Sequence, residues 1–349
     1  MQTFAFRRSG VILLVGVAGV SLMLDAAHGA TEPPAGAAPA GRTPVETTRH
    51  PELGHVRWGR DFDRALAASR ASGKPVFVLF DEVPGCHTCV SFGQTVLTHP
   101  LIVEAIEDLF EPVAIFNNMG GADAAVLKSF GEPAWNNPVV RIVDAERRAL
   151  SPRVDGDYTP RGIVGAMVKA LADSKRPVPA YLALLHQEQA PSERAVFAMH
   201  CFWEGEVRLG AIEGVLSTRS GFVGGEEVVE VMFDPARVTR EALEATAREM
   251  ACRLPGRGGD EPMRPSTQDD KYQLRRTALA ALPMTPLQAT RANAAAGAGG
   301  DAQSVLSPRQ KAMLARLSKL DPAKRPNLIG CTDLATAWRE AESAAAAKR

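Results

Sequence analysis

Two rhythms of apolar residues run along the chain. In the runs 74–80, 112–116 and 139–143 apolar residues follow one another with β-branched and aromatic side chains, the mark of short buried strands. Between them apolar residues recur three and four apart, the helical spacing: 58–71 with Phe62, Leu66 and Ala67, 100–110 with Ile102, Val103, Ile106 and Leu109, then 120–130 and 162–172. Ser72-Gly73 ends the first of these helices. Farther on, 181–190 reads as helix, 194–199 as strand, the stretch to about 212 as amphipathic helix, 215–220 and 226–233 as strands around a glycine-rich turn, and 239–251 as helix. The segment 255–265 reads as loop, and 272–282 as an added strand or helix. Residues 292–300 read as flexible low-complexity chain. Helices 307–320, with Pro308 in its first turn, and 333–345 close the sequence.

These patterns divide the chain at 31–49 (spacer), 50–175, 191–290 and 291–349 (C-terminal helical segment). In 50–175 strands and helices alternate and end in a turn at 144–147, an α/β sheet. In 191–290 the order β-α-β-β-α is that of a ferredoxin-like α+β domain.

Candidate chemistry begins at Val83-Pro84-Gly85-Cys86-His87-Thr88-Cys89. A buried strand precedes it and a helix continues from 90, so a Cys-x-x-Cys pair stands at a helix start. There a sulfur faces unpaired N–H groups and the positive end of the helix dipole, which suits a thiolate. Cys86 is the expected attacking thiol and Cys89 the resolving one. A zinc knuckle lacks a second ligand pair, and haem attachment needs His where Val90 stands. Strand, turn and Cys-x-x-Cys helix together are the layout of a thioredoxin-like protein. In that layout a cis-proline precedes a later strand and lies against the cysteines, where its neighbour can pair with a substrate chain. Pro138 holds that place. His87, between the cysteines, is a candidate to stabilise the thiolate.

Trp58-Gly59-Arg60-Asp61, Gly73-Lys74-Pro75 and Val83-Pro84-Gly85-Cys86 resemble a bacterial family of thioredoxin-like proteins. Some members carry selenocysteine at the position of Cys86 and threonine at that of Cys89. The resemblance spans about 55–145 and implies that Cys86 is the nucleophile.

A second resemblance lies in 191–290. Cys201-Phe202-Trp203 with Glu206, Gly214-Val215 with Ser217-Thr218, Gly221-Phe222-Val223-Gly224-Gly225, and Glu227-Val228-Val229 ending at Phe233-Asp234-Pro235 are similar to the peptide methionine sulfoxide reductase A family. The resemblance implies Cys201 as nucleophile on sulfoxide sulfur, Glu227 as the acid, and Phe202, Trp203 and Glu206 at the substrate. Cysteine attack with protonation of the departing oxygen fits those types and leaves a sulfenic acid. Cys252 and Cys331 are candidate resolving thiols. The sequence departs from the family where a tyrosine-bearing loop should precede the acid, and its later Asp and Tyr have only an echo in Asp269, Asp270 and Tyr272.

With 40 basic and 40 acidic residues among 349, nothing points to nucleic acid or an anionic membrane as partner. Arg7 and Arg8 followed by the apolar run 10–24 read as a signal peptide over 1–30, cleaved near 27–30, so the mature chain is expected in a periplasm without stable membrane insertion. Five cysteines suit redox work in that compartment. The expected protein is an exported two-domain thiol oxidoreductase without a cofactor. Its partners are sulfoxide-containing peptides or proteins and a thiol reductant or membrane electron donor. Two alternatives stand beside it: a thiol-disulfide oxidoreductase with a non-catalytic second domain, and a soft-metal module using Cys86, Cys89 and Cys201.

Overall fold

Strand β1 (Val76–Asp81) is buried at every position. The structure, a computed structural model, describes residues 50–255 and 262–346. The signal peptide and spacer read from the sequence lie outside these residues. β1 pairs parallel with β2 (Glu111–Phe116) and antiparallel with β3 (Val139–Val143), in the order β2-β1-β3. Its side chains point alternately into two cores. Phe77 and Leu79 meet Trp58 and Phe110 on one side; Val76, Val78 and Phe80 meet Phe62, Leu66 and Val113 on the other. Burial on both faces is why the strand is apolar from Val76 to Phe80.

Helix α1 (Phe62–Ser72) and α4 (Ala122–Phe130) supply the second core, and α2 (His87–Thr95), α3 (Pro100–Leu109) and α5 (Pro160–Asp173) the first. The Asp61 carboxylate caps α1 by accepting the Arg64 N–H, and Gly73 ends it in the left-handed region. Helix α2 lies directly on the turn 51–53. A Cβ on Gly93 would overlap the Pro51 carbonyl oxygen and the Glu52 backbone. Because backbone cannot yield as a side-chain tip does, Gly93→Ala is expected to cost about 1–3 kcal/mol in urea unfolding. A variant as stable as the native protein would show that α2 can slide.

After α6 (Ala180–Glu188) a second sheet forms from β4 (Glu193–Ala198), β5 (Val215–Val223), β6 (Glu226–Phe233) and β7 (Arg264–Pro265), in the order β4-β6-β5-β7. Helix α7 (Phe202–Gly210) joins β4 to β5, and α8 (Arg240–Glu249) follows β6. Arg253 then returns to pair antiparallel with Ala198. Gly224 and Gly225 both take positive φ in the two-residue turn between β5 and β6. The predicted loop 255–265 ends in β7, which adds two residues to the edge of β5.

The C-terminal part differs most from expectation. The run 272–282 becomes α9 (Tyr272–Arg275) and a single 3-10 turn. The predicted flexible stretch 292–300 falls largely in α10 (Pro286–Gly297), which runs through the boundary drawn at 290/291. A Thr285–Gln288 capping box starts it, Ala292 is fully buried, and Arg291 donates to the carbonyls of Gly210, Ile212 and Val215. Alanine-rich sequence reads as low complexity, yet alanine is the best helix former and allows close packing. Helices α11 (Pro308–Leu317) and α12 (Leu334–Ala346) fold back onto the first half. Leu317, Trp338 and Ala341 share its core, and the Glu104 carboxylate accepts the Ser307 hydroxyl at 2.6 Å and the Arg309 N–H at 2.8 Å.

Candidate active site

Cys86 is the N-cap of α2, and its Sγ accepts the Cys89 N–H at 3.4 Å. The two sulfurs stand 2.8 Å apart, both as free cysteines. Cys86 is half-buried and Cys89 buried, so an incoming disulfide meets Cys86 first. The peptide bond to Pro138 is cis, as the order of elements predicted, and so is that to Pro84. Asn137, just before Pro138, brings its Oδ1 to 2.8 Å from Cys89 Sγ and 3.6 Å from Cys86 Sγ. His87 is exposed on the first turn, away from any hydrogen-bond partner the structure displays.

Acidic groups surround the pair. Asp81, at the end of β1, is fully buried: its Oδ1 accepts the Glu82 N–H at 3.0 Å and its Oδ2 has no hydrogen-bond partner. Burial raises its pKa from 3.8 to about 7. Burial and then the adjacent Asp81 carboxyl push the Cys89 thiol far above the ordinary thiol range, so Cys89 rests protonated. Buried Glu52 accepts the Gly85 N–H at 2.6 Å and fixes the loop ahead of Cys86. Sequence reading missed Asp81 and Glu52. The one available signal was a carboxylate closing an otherwise apolar strand.

Ligand atoms of Glu82, Cys86 and Cys89 lie within 4.8 Å of one another and could hold a thiophilic ion. Cys201 belongs to a different centre, so the expected set Cys86, Cys89 and Cys201 is not assembled.

That second centre is built on α7. Cys201 is its N-cap, and the Phe202 N–H donates to Glu227 Oε2 at 2.9 Å. Glu227 is carried there by β6, so Cys201 and a carboxylate meet at the positive end of one helix. Phe202 is buried against Phe222, with ring centroids 5.5 Å apart. Trp203 stacks flat on Tyr272, 3.9 Å between centroids and 9° between planes. Tyr272, an echo in the sequence, is thereby placed at the centre.

For Glu206, expected at the substrate, the structure shows a buried ion pair. Glu206 is fully buried, accepting the Lys271 N–H at 2.8 Å and the Lys271 Nζ at 2.9 Å. Lys271 Nζ also binds Asp270 at 2.9 Å. Burial opposes the Lys271 charge, but the Glu206 and Asp270 carboxylates outweigh it and hold the ammonium on. Glu206 thus anchors Lys271, the residue before Tyr272, which stacks on Trp203.

Cys201 and Cys252 line one cavity of about 210 Å³. Cys331 sits instead beside the C-terminal helices, its Sγ 3.5 Å from the Asp333 carbonyl, in contact with the first core. Of the two candidate resolving thiols only Cys252 shares a space with Cys201.

Residues 57–145 match the family described as thioredoxin-like. The chain is also similar to peptide methionine sulfoxide reductases MsrA: 35% identical over 68 residues to that of Geobacter metallireducens, covering 15% of this chain and 42% of that protein. For Geobacter sulfurreducens the figures are 37% over 73 residues, 16% and 45%. The chain thus spans less than half the length of these relatives. A solved DsbH oxidoreductase covers 40% of this chain and 95% of its own, with 15% identity and a TM-score of 0.29, too slight a likeness to carry an argument.

Proposed function

We propose that this protein is an exported thiol oxidoreductase that reduces methionine sulfoxide in peptides at Cys201 and is recharged by its own Cys86–Cys89 dithiol. One observation carries the reading: Cys201 caps α7 with Glu227 on the neighbouring N–H and with Trp203 held against Tyr272. The Cys201 sulfur attacks the sulfoxide sulfur while Glu227 delivers a proton to its oxygen. The thioether leaves, and the oxygen stays on Cys201 as a sulfenic acid. Trp203 offers an apolar wall to the substrate methyl group. The similarity to MsrA proteins and the β-α-β-β-α order, read as ferredoxin-like, support the same conclusion. Export rests on Arg7, Arg8 and the apolar run 10–24; among the described residues no single helix is long and apolar enough to cross a membrane. A thiol reductant or membrane electron donor upstream re-reduces Cys86 and Cys89.

A second reading, a thiol-disulfide oxidoreductase whose second domain only binds, is favoured by one feature. The two-residue turn at Gly224 and Gly225 leaves no place for the family's tyrosine-bearing loop. The two readings part in one assay: turnover of peptide methionine S-sulfoxide with dithiothreitol. Turnover is expected in the native protein and in Cys86→Ser, whose recycling dithiothreitol replaces, and is expected to fall to background in Cys201→Ser. No turnover in the native protein, with disulfide exchange at Cys86 intact, establishes the second reading instead.

A further inference from the structure

Where the C-terminal helices fold back, they leave a cavity of about 610 Å³ against α3. Among the described residues, none from either cysteine centre lines it. Two helix faces make its walls. Arg309, Ala312, Met313 and Arg316 of α11 follow at three, four and seven residues, and Ala335, Trp338, Arg339 and Glu342 of α12 repeat that spacing. Each face carries an alanine, Ala312 or Ala335, where a longer side chain would take up the space. Val103, Met313 and Trp338 are buried and give the cavity an apolar floor. The Trp338 Nε1–H donates to Glu342 Oε1 at 3.0 Å, so the one polar group of the indole is satisfied and the rest of it offers apolar surface.

The charges around this floor are not paired off. Arg309 is already engaged, by Glu107 at 2.8 Å and Asp108 at 3.1 Å. Glu342 holds the Trp338 indole. Arg316 is exposed, and among the described residues its guanidinium has no hydrogen bond and no ion pair. Arg339 donates to a neutral group, the Thr336 hydroxyl, at 2.8 Å. Asp333, which feels the Arg339 charge, accepts from the Thr336 hydroxyl and the Ala335 N–H. We infer that this cavity binds a small organic anion, a carboxylate carried on a flat apolar body. Arg316 and Arg339 take the carboxylate, since a guanidinium offers paired N–H donors that match its two oxygens. The flat body lies on Met313 and on Trp338, whose ring favours an offset aromatic partner. A cavity of this volume, lined by three helices, suits a small molecule. Neither cysteine centre takes part.

The test is isothermal titration calorimetry of the full chain with naphthoate, with its uncharged isostere naphthamide, and with acetate. Naphthoate is expected to bind, and naphthamide and acetate to bind at least about tenfold more weakly, because each lacks one half of the ligand. Affinity for naphthoate is expected to fall about tenfold in Arg316→Ala and in Arg339→Ala, and to weaken as salt rises. In Ala312→Leu, which fills the cavity and leaves every charge in place, binding is expected to fall to background. Arg316 and Ala312 are exposed, so these changes leave the core untouched, and disulfide exchange at Cys86 checks the fold of each variant. A native protein that does not bind naphthoate at millimolar concentration, or that binds naphthamide equally well, overturns the inference whatever the variants do. Naphthoate binding unchanged in Ala312→Leu also overturns it. So does binding of a short acidic peptide in place of naphthoate, lost in Arg316→Ala, which would make the groove a protein-docking surface.

Discussion

Asp81→Asn is expected to give a protein that is more stable above neutral pH and much slower at disulfide exchange. The unfolded carboxyl titrates near 3.8 and the folded one near about 7 because burial penalises its charge. Below pH 3.8 both states hold the proton and Asp81 costs nothing. As pH rises to about 7 the unfolded state gains its charge freely while the folded state resists, so stability falls across that window. Above pH 7 the full difference is reached, on the order of 4 kcal/mol at about 1.4 kcal/mol per pKa unit. Asparagine removes the titration. Urea unfolding of the two proteins is therefore expected to agree near pH 4 and to separate in favour of Asp81→Asn by pH 8. Equal stability at both pH values would place the Asp81 titration elsewhere.

The same buried carboxylate serves exchange. Once Cys86 is in a mixed disulfide, Cys89 must lose a proton that burial and Asp81 hold tightly. An ionised Asp81 beside it is the acceptor, and loss of such a group costs roughly 10²-fold. The mixed disulfide on Cys86 is expected to accumulate in Asp81→Asn, which is also expected to lack the rise in rate through about pH 7 that the native protein should display. A native rate that stays flat from pH 5 to 9 would remove Asp81 from the proton path.

Lys271→Met is expected to be the most destabilising single change in the second half. It strands the Glu206 carboxylate, which is fully buried and has Lys271 as its counter-charge. Breaking one partner of a buried pair costs about 3–5 kcal/mol, because the remaining charge is uncompensated. Glu206→Leu with Lys271→Met replaces the pair by apolar groups and is expected to recover most of that loss. Urea unfolding measures both. If the double variant is as unstable as the single one, the pair holds the fold by geometry and not by charge balance. Sulfoxide turnover adds a second readout, since Lys271 seats Tyr272 against Trp203.

Much of the architecture was legible in the chain by itself. Apolar runs marked β1, β2 and β3, broken only by Arg141 in β3, because strands buried on both faces have little polar side to show. The Cys86–Cys89 spacing, Pro138 and the Gly224-Gly225 turn carry local chemistry that reads without a partner. The clearest failures were long-range. Nothing near Glu206 announces Lys271, 65 positions away, so an acidic residue in a resembling motif was read as a substrate contact. Nothing near Asp81 announces that Cys89 will come to rest beside it, and a pKa depends on burial that only packing creates. Cys252 and Cys331 were equal as lone thiols in sequence. The Ala198–Arg253 pairing separated them, because antiparallel pairing sets which residues share a wall while sequence distance does not. Sequence by itself determined the local elements and the residue types able to do thiol chemistry; the tertiary structure decided which of them are buried, which are paired, and which cysteine faces which.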